Sequence, residues 1–213
     1  MSGRVLVIAP HADDEVLGPG GTIAKHIESG DSVSVVIVAD RKKICLEQRI
    51  QAEEAREILG YNRLDFLGLK DETLDGPAVE IIKPLEDIYG EVRPHTVYVP
   101  HKGDYNLDHR AVFRAATVSC RVHQQAPPSR VFSYETPSST SQGLMEPFLP
   151  NFYNRITVSH LEKKIDAFKR YEDEQRPLPN PRNEDGLSNL AIHRGMECGY
   201  ALAEAFMLMR EIA

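Results

Sequence analysis

The chain has 213 residues, with 32 acidic against 25 basic side chains and a formal net charge of −7. That negative surplus excludes nucleic acid as the expected partner, and the length suits one domain over residues 1–213, inside the ~50–250 residues usual for a domain. No apolar run approaches the ~20 residues that cross a bilayer and no basic segment leads into a cleavable apolar stretch, so a cytoplasmic protein without stable membrane insertion is expected.

Strand-like and helix-like text alternates along the chain. "RVLVIAP" is a β-branched run closed by Pro10, and "TIAKHIESG" reads as a short helix ended by Gly30. "SVSVVIVA" is a second buried strand, followed by helical spacing from Cys45 to Leu59. "RLDFLGL" is a third strand, and "AVEIIKPLEDIYG" a helix kinked or delayed by Pro84. "HTVYVP" gives a fourth strand, "DHRAVFRAATVSCRVH" a helix and "RVFSYE" a fifth strand. Pro127 to Pro150 is rich in turn residues; "RITVSHLEKKIDAFKRYE" then resumes strand-like and helical text. "LSNLAIHRGMECGYALAEAFMLMREI" reads as a long closing helix with possible breaks at Gly195 or Gly199, its apolar stretch as suited to a homo-oligomer interface as to a core. Buried strands separated by helices predict an α/β fold with a mostly parallel sheet covered by helices. Cys45, Cys120 and Cys198 lack a CxxC spacing and read as small buried apolar residues.

Sites in such sheets form beyond the carboxyl ends of the strands. "PHADDEVLGPGG" and "HKGDYNLDH" both follow strand ends, so two polar clusters are expected to meet at one sheet edge. Zinc takes imidazole and carboxylate ligands, and a catalytic site supplies three while leaving room for water. His11 and Asp14, three apart, face one side of a turn, and His109 is placed to complete the set, leaving Asp13 free to take a proton from water. The alternatives are structural. Asp13 or Asp14 caps the next helix, Asn106 or Asp108 caps another with His109 partly exposed, and "GPGG" is a tight turn with close backbone approach or a phosphate loop lacking the P-loop Lys and Ser/Thr.

"PHADDEVLGPGGTIA" together with "GDYNLDHRAVFRA" resembles the PIG-L/LmbE family of zinc-dependent N-deacetylases. The order of "EEAREILGYNRLDFLGLKDETLDG", "KKIDAFKRYEDEQ", "PRNEDGL" and "HRGMECGYALAEAFMLMREI" extends the resemblance over nearly the whole chain. The resemblance implies a Rossmann-like three-layer sandwich without a dinucleotide. It also implies one Zn2+ per chain on His11, Asp14 and His109, with Asp13 as general base and Asp108 as a carboxylate orienting an imidazole. The implied substrate is a small glycoconjugate carrying N-acetylglucosamine; a non-sugar acylated amine and a non-catalytic binding protein are the alternatives. Family members often place an arginine after the second strand, which Arg49 or Arg41 matches. Arg49, His101, Asp104 and Arg182 are expected at the substrate, with residues 136–143 and 177–186 selecting the aglycone.

Two positions depart from the family pattern. Ala12 replaces a proline, and Asn106 stands where many members have the first histidine of the later motif. An asparagine amide donates a hydrogen bond to an oxyanion but is neither a cation nor an acid near neutral pH. His101 or Asp13 is left as the candidate for the missing proton-transfer role.

Overall fold

The computed structural model describes residues 2–41, 45–123, 126–144 and 146–213. β1 (Arg4–Ala9) is apolar from Val5 onward because both faces are covered: Val5, Val7 and Ala9 enter one hydrophobic cluster, Leu6 and Ile8 another. This is the period-two alternation of a strand at the centre of a sheet. β2 (Ser32–Asp40) pairs parallel with β1 from Arg4↔Ser32 to Ala9↔Ile37, and β3 (Arg63–Lys70) pairs parallel with β2. On the other side of β1, β4 (Thr96–Pro100) and then β5 (Arg130–Tyr134) continue the parallel ladder.

The helices fall into two layers. α1 (Asp14–Leu17), α2 (Gly20–Glu28), α3 (Cys45–Leu59), α6 (Val158–Phe168) and α7 (Glu184–Cys198) place Leu17, Ile23, Ala55, Ile165 and Leu187 in the first cluster. α4 (Val79–Val92) and α5 (Leu107–Ser119) place Leu85, Ile88, Val112 and Ala116 in the second. Pro84 lies inside α4 rather than at its start. With β6 (Phe152–Arg155) and β7 (Ala203–Glu211), the seven strands run in the order β3-β2-β1-β4-β5-β7-β6. The result is an α/β, Rossmann-like three-layer sandwich, as expected. The direction of strand progression reverses between β1 and β4, where such sheets open a crevice at the strands' carboxyl ends.

The closing segment corrects the sequence reading. α7 ends at Cys198, Gly199 takes a left-handed conformation at φ +79°, and "AEAFMLMRE" is strand β7, antiparallel to β5 and β6. Ala, Leu, Met and Glu favour helix locally, but the two open strand edges on either side offer backbone pairing that outweighs so small a preference.

β7 also reaches the segment after β1. The Glu204 carboxylate accepts the Gly21 and Thr22 N–H groups at 2.9 and 2.7 Å, so the α2 amino terminus is filled by the chain's own anion and is not a phosphate loop. Lys164 Nζ completes the arrangement at 2.5 Å from Glu204 Oε1 and 2.8 Å from the Gly18 carbonyl. The glycines allow close approach: a Cβ on Gly18 would collide with the Tyr134 ring and one on Gly21 would sit 3.1 Å from Glu204. Glu204→Ala is expected to cost about 3–5 kcal/mol, because it leaves a buried lysine unpaired; urea denaturation measures the loss, and Lys164→Met in the same background should recover part of it.

Candidate metal and active site

Past Ala9 the chain turns sharply, and the turn carries His11, Asp13 and Asp14 to the crevice. The His11 N–H donates to Asp14 Oδ2 at 3.0 Å, and Asp14 and Glu15 sit fully buried at the start of α1. Asp13 occupies the capping position of α1 but makes no side-chain capping bond, which removes capping as its role. From the other side of the crevice, β4 leads to α5, whose amino terminus is capped by Asn106: its Oδ1 accepts the Asp108 N–H at 2.8 Å. Capping and site function coexist here, because the cap aims the first turn of α5 at α1.

His11, Asp14 and His109 converge, with one ligand atom from each lying within 4.8 Å of the others. Asp14 Oδ2 is 3.3 Å from His11 Nδ1 and 3.1 Å from His109 Nε2. His109 is 1% exposed, buried where partial exposure was the alternative. The far nitrogen of each imidazole faces a carboxylate. His11 Nε2 lies 3.0 Å from Asp71 Oδ1 and 3.3 Å from Asp108 Oδ2, and His109 Nδ1 lies 3.3 Å from Asp104 Oδ2, near enough for charge attraction though bent for a hydrogen bond. Carboxylate–imidazole–metal arrangements have this form.

A second grouping of His11, Asp71 and Asp108 also lies within 4.8 Å. Its acids are engaged: Asp108 accepts the Glu72 and Leu74 N–H groups at 2.7 and 3.0 Å, and Asp71 pairs with Arg41. By contrast Asp14 Oδ1 is buried without a hydrogen-bond partner among the described residues. Two imidazoles, a carboxylate and an orphaned carboxylate oxygen make the first grouping the one that fits a divalent cation.

The electrostatics agree. Burial opposes the charge on Asp14, but His109 and then His11 outweigh it and hold the carboxyl well below its usual range. Burial likewise opposes charge on the two histidines; Asp108, Asp14 and Asp71 nevertheless raise His11 well above its usual value, while Asp14 and Asp104 bring His109 to about 9. The carboxylates therefore draw positive charge into this spot. Asp13 is pushed the other way, well above the usual range, by burial and then by Asp14, with Arg182 opposing.

His11, the outermost member of the cluster, lines an open cavity of about 1040 Å³ together with Asp13, Arg41, Lys70, Tyr105, Asn106 and Arg182, while Asp14 and His109 lie buried behind it. Of the expected substrate contacts, only Arg182 lines it. Arg49 pairs with Asp40 and lies over Phe66, outside the cavity, and Arg41 takes the place at its wall. His101 is buried, with Nε2 2.9 Å from the Glu146 carbonyl. Asp104 is also buried, where it accepts from Ser139, Thr140 and the Asn106 N–H and faces His109, so it supports an imidazole instead of meeting substrate. Asp71 and Glu174 were not singled out, since lone charges in loop-like text look like any solvated residue, whereas Arg41 was the alternative to Arg49.

Replacing Asp104 by Asn should lower affinity for the cation by about 10–100-fold, the usual effect of removing a carboxylate behind a ligating histidine. Competition with a chromogenic chelator reads this directly, and Arg49→Ala serves as the control that leaves affinity unchanged.

Comparison with known proteins agrees with this architecture. The family model described as GlcNAc-PI de-N-acetylase, PIG-L, matches residues 6–120. The chain is 26% identical over 176 residues to the uncharacterized deacetylase YaiS of Escherichia coli (strain K12), covering 79% of this chain and 90% of that protein. The N,N′-diacetylchitobiose deacetylase structure from Pyrococcus horikoshii superposes with TM-score 0.78 at 23% identity over 97% of this chain and 84% of that one. GalB, the 4-carboxy-2-hydroxymuconate hydratase from Pseudomonas putida KT2440, gives TM-score 0.82 at 21% identity, covering 100% and 98%. Structural likeness at these identities speaks for the fold alone. The family match runs through both segments that bring His11, Asp14 and His109 together, and by it this chain belongs to the PIG-L superfamily, as a metal-dependent enzyme of the deacetylase type.

Proposed function

We propose that the protein is a zinc-dependent N-deacetylase that removes the acetyl group from an N-acetylglucosamine-containing small glycoconjugate. The observation that carries the reading is Asp13: a carboxylate at the cavity wall, next to the His11, Asp14 and His109 grouping yet not a member of it. A general base needs that position. The sugar rests on the family's description and on a cavity lined mainly by charged and polar groups, with Tyr105 and Leu107 as the apolar exceptions. Polar groups of that kind match a hydroxyl array, and an exposed tyrosine offers a flat face to a sugar ring.

His11, Asp14 and His109 hold the cation, which when bound supplies Lewis acidity toward water and the acetamide carbonyl. Asp71 and Asp108 orient His11, and Asp104 orients His109. Asp13 accepts a proton from the attacking water. Asn106 already commits Oδ1 to its cap, which leaves the amide N–H groups at the cavity to donate to the carbonyl oxygen as charge develops there. Asp13 then returns its proton to the departing nitrogen, giving acetate and a free amino sugar.

Elemental analysis should find one zinc ion per chain, lost in His11→Ala and Asp14→Ala. Asp13→Asn should keep the metal and lower kcat by ~10²–10⁴, the span of lost acid–base catalysis; full turnover would remove Asp13 from the mechanism. Asn106→Ala should reduce kcat by ~10²–10³ with the metal retained, as for loss of an oxyanion donor. The substrate class is tested by incubating the zinc-loaded protein with N-acetylglucosamine, N,N′-diacetylchitobiose, and nucleotide-linked and inositol-linked derivatives beside N-acetyl amino acids. Acetate and new primary amine are measured together. Release from amino acids alone would keep the hydrolase and replace the sugar.

A further inference from the structure

Asp13 is held in an uncommon way. Its backbone lies at φ +124°, in the region that favours glycine, and its N–H is pinned to Glu15 Oε2 at 3.1 Å. The residue is 2% exposed and neighbours Asp14, whose like charge repels its carboxylate. Among the described residues its one side-chain hydrogen bond is from Arg182, with Nη1 3.0 Å from Oδ2.

Arg182 is itself fixed. Nη1 also donates to Glu174 Oε2 at 2.8 Å, and Nε donates to Ser138 Oγ at 2.9 Å. The backbone is tied as well, through its N–H to Asn180 Oδ1 and its carbonyl to the Arg176 N–H, both at 2.9 Å. Glu174 is 2% exposed, and its other oxygen takes Arg41. Arg41 Nε lies 3.4 Å from Asp71 Oδ2, and Asp71 Oδ1 lies 3.0 Å from His11 Nε2. An unbroken chain of polar contacts thus runs from His11 through Asp71, Arg41, Glu174 and Arg182 to Asp13, two residues from where it began. An arginine that served only as a substrate clamp would keep its fork free for the ligand, whereas Nε and Nη1 of this one are committed to protein acceptors.

We propose that Arg182 is a positioning residue for Asp13: by gripping Oδ2 it presents Oδ1 to the reacting water, and Glu174 fixes the guanidinium that does so. The inference rests on Asp13 being the base, and it goes beyond that reading by naming which carboxylate oxygen works and what aims it. The same residue was expected from its sequence position to meet substrate, so the test separates the two roles.

The variants are Arg182→Gln, Arg182→Lys, Asp13→Asn and the double variant Asp13→Asn/Arg182→Gln, each assayed zinc-loaded on N,N′-diacetylchitobiose. Arg182→Gln is expected to lower kcat about 10²-fold, the cost of misplacing a reacting group by about 1 Å, with KM and zinc content unchanged. Added guanidinium should restore part of that kcat. Arg182→Lys, which keeps a charge among the buried acids and so protects folding, should fall between wild type and Arg182→Gln. The double variant should be no slower than Asp13→Asn alone, because a residue acting through Asp13 has nothing left to aim. Independently of turnover, crystal structures should show the Asp13 carboxylate rotated or split between rotamers in Arg182→Gln.

A raised KM at unchanged kcat would make Arg182 a substrate contact and overturn the proposal. Losses that multiply in the double variant, or an Asp13 carboxylate unmoved in the Arg182→Gln crystal, would overturn it too. Asp13→Asn with wild-type kcat is the distinct result that brings down the general-base reading itself.

Discussion

Three consecutive carboxylates, Asp13, Asp14 and Glu15, are buried directly after the central strand, none more than 2% exposed. Unpaired, such charges would be prohibitively costly in a protein interior. Much of the architecture at this edge of the sheet can be understood as the supply of their partners. Asp14 draws in His11 and His109, and with them a cation. Asp13 draws Arg182. Glu15 takes the Tyr171 hydroxyl and the Asp13 N–H, and burial still raises it to about 7. The distant partners, His109, Tyr171 and Arg182, come from α5 and from residues 171–182, so segments far apart in the chain are tied to one turn by electrostatic necessity.

β1, β2, β4 and β5 were legible because burial on both faces leaves nearly unbroken apolar text, and the helix Cys45–Leu59 because its spacing is regular, whereas β6 (Phe152–Arg155) ends where the strand-like "RITV" begins. β7 was hidden by composition: its residues favour helix, and only the partners on both sides make it a strand. In the site, residue type and spacing near strand ends singled out His11, Asp14 and His109 but left helix capping open, and the resemblance to the family made them a ligand set. Asp71 and Glu174 could not be found this way, because an acid in a turn reads as solvated until the fold shows what it faces. Asp104 was expected at the substrate, since nothing in "GDYN" tells whether that carboxylate looks outward to a ligand or inward to His109, which it faces.

The scaffold and the chemistry are separable. A hydratase shares the fold along the whole chain, so the sheet provides a place and the turns at its carboxyl edge provide the reaction. Asn106 illustrates how economical those turns are. One side-chain oxygen secures the helix that delivers His109, and the amide on the same side chain remains at the cavity.

The position of β7 bears on how the chain reaches this state. It is the last strand in sequence, yet it lies inside the sheet, between β5 and β6, and its Glu204 closes the amino terminus of α2 near the start of the chain. During synthesis, β5 and β6 therefore emerge with open hydrogen-bonding edges, and α2 with an unsatisfied end, until residues 203–211 have left the ribosome. Such edges are templates for pairing with other chains. The nascent protein thus carries that exposure to misassembly from the synthesis of β5 until β7 has been made, and the strand that completes the sheet also ends it.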